Sequence, residues 1–242
     1  MQLTPPPVKV WAEERDIPVL QPETLKTPED APALYNSEWD VFIVAAYNII
    51  IPKTLLYLPK HNTINIHPSL LPKLRGPSPI RSAILEDARE HVGVSIIELD
   101  EKIDHGALLA QAQVELPEWP VLGNTLDELL FREVGRLLGE ALPLWLQGEL
   151  QPDPQDDTAA TYTKKFEKAD GEIDLTADDT ENYRKYCAMD GWPGTFFFDK
   201  NGKRVKITAA HMEGEAFVIE AVIPEGKKEV AWNTYKRQCG DV

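Results

Sequence analysis

Apolar residues in this chain gather into short runs separated by polar, turn-forming stretches, and the spacing within runs changes along it. Val8–Arg15, after Pro5-Pro6-Pro7, has helical spacing, and IPVLQ (17–21) reads as a short strand. TPEDAPALYN (27–36) is helical or irregular, because Pro28 suits a first helical turn and Pro32 interrupts one. DVFIVAAY (40–47) is a compact apolar run of the kind found in strands buried on both faces. IPKTLLYL (51–58) follows as a short helix and NTINIH (62–67) as a second buried strand. Ser78-Pro79 opens the next helix, and VGVSIIEL (92–99) and ALLAQAQVEL (107–116) are strands. Thr125 and Glu128 have the spacing of a capping box, opening a long amphipathic helix whose apolar face runs from Leu126 to Trp145. Strands alternating with helices predict an α/β domain with a mostly parallel, Rossmann-like sheet. Farther on, GTFFF, RVKITAA and AFVIEAV, with turns at Asn201-Gly202 and Glu213-Gly214, predict a small β-barrel, OB-like in size.

Between these halves QGELQPDPQDDTAAT (147–161) is polar and aperiodic, which reads as a linker. The expected organisation is a catalytic-type domain over 1–148, a linker over 149–161 and a β-barrel domain over 162–242. A length of 242 residues accommodates two such domains. The charge is lopsided. Residues 1–159 hold 12 Lys/Arg and 25 Asp/Glu, whereas residues 160–242 hold 13 and 15. A formal net charge of −15 makes generic nucleic-acid binding unfavourable, since affinity for polyanions rests on cations displacing counterions. It leaves open a nucleic-acid end guided by the near-neutral second half. A hydrophobic content of 43% with six tryptophans fills a real core. No apolar run approaches the roughly 20 residues that span a bilayer, and the first twenty residues have no signal-peptide pattern. Two cysteines, Cys187 and Cys239, make neither a disulfide framework nor a metal motif, and His61, His91 and His211 show no metal spacing. Together these features predict a soluble, cytoplasmic protein without a metal.

In open α/β sheets ligands bind at the carboxyl ends of strands. The strand TINIH ends in Asn65-x-His67, two residues that share a face, and SIIEL runs into the acidic turn Asp100-Glu101-Lys102-Ile103-Asp104-His105-Gly106. An amide, an imidazole and a carboxylate brought together can stabilise an oxyanion and move a proton. On spacing alone, His67 fits a hydrogen-bonded structural group as well as a catalytic one.

The stretch NTINIHPSLLPKLRGPSPI (62–80), with AAYNIIIP (45–52) upstream and VGVSIIELDEKIDHGALLAQ (92–111) downstream, resembles the signature of the 10-formyltetrahydrofolate-dependent formyltransferases. Within that superfamily, LTPPPVK (3–9), IPVLQPETL (17–25), DGWPGTFF (190–197), NGKRVKI (201–207) and PEGKKEV (224–230) resemble the methionyl-tRNA formyltransferase branch. The resemblance covers nearly the whole chain in order. It implies transfer of a formyl group from 10-formyltetrahydrofolate to the amino group of initiator methionyl-tRNA in translation initiation. The alternatives it leaves are an amino-sugar-nucleotide N-formyltransferase, a hydrolase of 10-formyltetrahydrofolate, and a folate-binding protein without turnover.

The resemblance assigns catalysis to Asn65, His67 and Asp104. Asn65 and a protonated His67 would donate to the oxyanion, and Asp104 would orient the imidazole and help carry the amine proton. It places the pterin between Tyr47, Asn48, Ile49 and Ile50 on one side and Leu99, Asp100, Glu101 and Ile103 on the other. Arg75, Lys203, Arg204, Lys206, Lys227 and Lys228 become candidates for the substrate's anionic parts. Three departures stand out. Asn48 replaces a usual Gly, His105 replaces a usual Thr or Ser, and the chain opens at MQLTPPPVK, where the family carries an earlier strand–helix–strand and a basic loop. Lack of that strand would leave ladder groups unpaired, inviting strand exchange or association, and lack of the basic loop would weaken tRNA binding.

Overall fold

The computed structural model describes residues 4–239, so Leu3 of the LTPPPVK segment and the Cys239 side chain lie outside the described residues. The chain divides into two compact units, residues 1–63 and 64–242.

The first unit holds α1 (Pro7–Glu13), a 3-10 turn (Pro28–Asp30), α2 (Pro32–Tyr35), β1 (Phe42–Ala45) and α3 (Lys53–Leu56). IPVLQ forms no strand. Pro18 and the following Pro22 remove two backbone donors that a ladder would need. Leu25, Ala31 and Leu55 form its core, with Phe42, Ile49 and Ile51 packed against it. β1 is not buried on both faces: its burial alternates, and Ile43 is 41% exposed while Phe42 packs on the core.

In the second unit β2 (Thr63–His67), β3 (Gly93–Glu98) and β4 (Leu108–Gln113) pair in antiparallel ladders, with His67 opposite Ser95 and Ser95 opposite Gln111. The alternation of strands and helices predicts parallel neighbours here. The turn from β3 to β4 is too short for a parallel crossover, which takes a dozen residues or more. α5 (Gly123–Leu146) packs on this sheet and α4 (Pro79–Leu85) against α5, and Leu126, Leu130, Leu137 and Ala141 bury the predicted α5 face. Each such leucine contributes about 1.5–3 kcal/mol. The Thr125–Glu128 capping box does not form. α5 starts three residues earlier, after Leu122, and the Asn124 N–H is satisfied by Asp190 Oδ2 at 3.1 Å instead.

The remaining strands β5 (Phe196–Phe198), β6 (Arg204–Glu213), β7 (Ala216–Pro224) and β8 (Val230–Ala231) make a four-stranded antiparallel, barrel-like sheet in that order. Register slips between Ile207 and Ala210 bend β6. Phe197, Val205, Ile207, Val222 and Tyr235 fill its core. Two further helices, α6 (Asp179–Ala188) and α7 (Trp232–Cys239), complete it, and α6 is capped by Asp178, which accepts from Glu181 N–H at 2.9 Å. The stretch expected to link two domains is not free. Asp153 and Leu108 exchange backbone hydrogen bonds at 2.9 and 2.8 Å, and the Thr161 carbonyl accepts the Arg75 N–H at 2.8 Å.

Candidate active site

Alternation along β2 turns Asn65 and His67 to one face and the buried Ile64 and Ile66 to the other. Opposite them, Asp104 leaves the β3–β4 turn with a left-handed backbone, φ +47°. The turn is tight. A Cβ on Gly106 would come within 1.7 Å of the Glu98 carbonyl oxygen, so only glycine lets the chain pass there. Asn65 Nδ2 donates to Asp104 Oδ1 at 3.4 Å, and His67 Nδ1 lies 3.5 Å from Asp104 Oδ2. The same Oδ2 accepts the Gly76 N–H at 2.8 Å. The geometry thus brings together all three residues that the motif assigned to catalysis.

The other imidazole nitrogen, His67 Nε2, donates to the Leu74 carbonyl at 2.9 Å. That bond fixes the tautomer and leaves Nδ1 as the basic nitrogen facing Asp104. His67 is 4% exposed, and burial pushes its pKa below the ordinary value of 6.5 while Asp104 pulls the other way. Burial thus disfavours the protonated form that the family resemblance implies for this imidazole. It becomes cationic only on accepting a proton, with Asp104 beside it to balance the charge. The loop carrying the Leu74 carbonyl is itself pinned. Ser95 Oγ donates to the Ser69 carbonyl at 2.6 Å and accepts from Leu71 N–H at 3.0 Å, while Gln111 Nε2 donates to the Leu71 carbonyl at 2.9 Å.

The expected pterin residues are placed in two separate units. Tyr47, Asn48 and Ile50 are exposed in the first, Ile50 at 91%, and Ile49 packs on its core. In the second, Leu99 is half-buried, Glu101 and Ile103 are exposed, and Asp100 closes its own turn by accepting from Lys102 N–H at 2.8 Å and bonding His105 Nδ1. Arg75 is fully buried and bound within the protein by Gln155, Asp157 and Tyr162, which leaves its guanidinium no free face for an anion. Lys203, Arg204 and Lys206 stand on β6 and its approach, and the Glu225 N–H donates to the Arg204 carbonyl at 2.9 Å, bringing the turn with Lys227 and Lys228 alongside. Arg204 stacks 4.0 Å over the Phe196 ring, whereas the four lysines are exposed, with Asp199, Glu225 and Glu229 among them.

Leu74, Gly76, Ser95 and Gln111 escape sequence reasoning because each acts through a backbone group or through another side chain. The family-like stretch 62–80 spans Leu74 and Gly76 but gives neither a role. Among the described residues no group of His, Cys, Asp and Glu is arranged to hold a metal, and no helix is long and apolar enough to cross a membrane.

The formyl transferase family model matches residues 2–129, and the model of the formyl transferase C-terminal domain matches residues 165–220. The methionyl-tRNA formyltransferase of Chloroflexus aggregans is 46% identical over 210 residues, covering 86% of this chain and 67% of that protein. The chain thus spans about two thirds of the length of this curated relative. Among solved structures, the methionyl-tRNA formyltransferase from Clostridium thermocellum superposes with a TM-score of 0.64 at 19% identity, over 89% of this chain and 91% of that one. HypX from Aquifex aeolicus, in complex with tetrahydrofolic acid, superposes with a TM-score of 0.69 at 22% identity, over 93% of this chain and 43% of that one.

Proposed function

Because this chain belongs to the formyl transferase family, we propose that it moves a formyl group from 10-formyltetrahydrofolate to the amino group of methionyl-tRNA. The observation that carries the chemistry is the convergence of Asn65, His67 and Asp104 at the end of β2. The 46% identity to a methionyl-tRNA formyltransferase favours that acceptor. As the acceptor amine bonds to the formyl carbon, negative charge gathers on the formyl oxygen. The Asn65 amide and, once protonated, His67 Nδ1 supply hydrogen bonds to it. The amine proton passes to the His67–Asp104 pair, which returns it to the departing folate nitrogen as the old carbon–nitrogen bond breaks. Neutral Nδ1 suits the first half of this cycle, and the Leu74 carbonyl with the Asp104 carboxylate stabilises the cation in the second.

The exposed lysines of the second unit receive the tRNA's phosphates in this reading. Incubation of the full chain with 10-formyltetrahydrofolate and, in parallel, methionyl-tRNA, an amino-sugar nucleotide, or no acceptor decides the matter. Formylmethionyl-tRNA is the expected product. Formylated sugar, or formate released without an acceptor, would replace this reading by another, and binding of folate without any product would remove catalysis altogether.

A further inference from the structure

Three consecutive residues, Leu74, Arg75 and Gly76, divide one task. The Leu74 carbonyl holds His67, and the Gly76 N–H holds Asp104. Arg75 between them touches neither. It is fully buried, and a buried guanidinium is tolerable only when its donors are all engaged. Here Nε and Nη2 grip Gln155 Oε1 at 3.1 and 2.8 Å, and Nη1 reaches Asp157 Oδ1 at 2.9 Å and the Tyr162 hydroxyl at 3.3 Å. The Gln155 amide nitrogen then donates twice, to the carbonyls of Asp104 at 2.9 Å and Gly106 at 2.7 Å. Both ends of this one side chain are committed, and its orientation is fixed by the guanidinium, since reversing the amide would set donors against donors.

We propose that Gln155, held by Arg75, is a positioning residue for Asp104, so that the segment read as an interdomain linker is a part of the catalytic site. The physical need is plain. Asp104 sits at φ +47°, a left-handed conformation that L-residues hold only under constraint. Relaxation of that peptide would swing the carboxylate away from His67 Nδ1, where a displacement of about 1 Å costs up to 100-fold in rate. Gln155 clamps the carbonyls on both sides of residue 105 and removes that freedom. His105 leaves the turn in the opposite direction, toward Asp100 and Asp157, and does not compete for the site.

This inference rests on the formyl-transfer reading for its kinetic arm alone. In the full chain, Gln155→Leu keeps the volume and removes all four hydrogen bonds. Gln155→Glu keeps the acceptors for Arg75 but sets a carboxylate against two carbonyls. Either variant is expected to lower kcat by about tenfold or more with KM for 10-formyltetrahydrofolate within about twofold. The midpoint of the His67 imidazole titration, followed by NMR, falls in both variants, because the carboxylate that raises it has moved. Arg75→Met combined with Gln155→Leu should be no slower than Gln155→Leu, as residues acting in one chain are not additive. A folded Gln155→Leu or Gln155→Glu protein with an unmoved His67 titration overturns the proposal. So does one that loses thermal stability while kcat is retained. If the wild-type chain transfers no formyl group, the functional reading fails, and the titration still decides the role of Gln155.

Discussion

His67 Nδ1 faces Asp104 Oδ2 at 3.5 Å while His67 Nε2 is spent on the Leu74 carbonyl at 2.9 Å. The imidazole thus has one nitrogen for structure and one for chemistry. Replacing His67 by Ala, or Asp104 by Asn, is expected to lower kcat for formyl transfer by about 10²–10⁴-fold. The fold should survive, as judged by circular dichroism. Wild-type rates in either folded variant would dismiss the pair as the proton carrier.

The buried imidazole also makes stability depend on pH. Because burial lowers its folded pKa below 6.5, the unfolded chain binds this proton more readily. Its contribution is complete above about pH 6.5 and is lost as pH falls through that value toward the lower folded one. Urea unfolding between pH 8 and pH 5 should show His67 adding a slope of up to about 1.4 kcal/mol per pH unit on the acid side. His67→Gln should flatten that part of the curve. A slope identical in the two proteins would mean that His67 does not titrate with folding.

Glycines separate the site from the scaffold. Gly106→Ala forces a Cβ against the Glu98 carbonyl, so the β3–β4 turn has to open. A loss of about 3 kcal/mol or more, together with loss of activity, is expected in chemical denaturation. Gly135 and Gly139 on α5 have open space around an added Cβ. Alanine at either position should raise stability by about 0.5–1 kcal/mol without touching kcat. The reverse ranking would contradict the placement of the turn.

The exposed lysines offer a separable test. Lys227→Ala with Lys228→Ala should raise KM for methionyl-tRNA several-fold and shallow its salt dependence. KM for the folate substrate should not change. An equal effect on both substrates would show that these lysines act through the fold.

Most of the elements that carry the site were legible before any coordinates. The apolar runs around Asn65, Val94 and Leu109 place β2, β3 and β4, and the family resemblance points to the three central side chains. The errors share a cause. IPVLQ has strand-like residues but is interrupted by Pro18 and followed by Pro22, β1 has an apolar sequence with one face exposed, and Thr125 is spaced as a cap whose place Asp190 takes from far along the chain. Local pattern reports what a segment could bury, and partners brought by folding decide what it does bury.

Sequence by itself determined most of the elements and the residues at the end of β2, because hydrophobic period acts within a few residues. Only the tertiary structure decided that His67 is buried with Nε2 on the Leu74 carbonyl, that Arg75 faces inward, and that Gln155 of the polar 149–161 stretch reaches the Asp104 backbone. Those outcomes depend on burial and on hydrogen bonds between groups up to 87 positions apart, which no local spacing encodes.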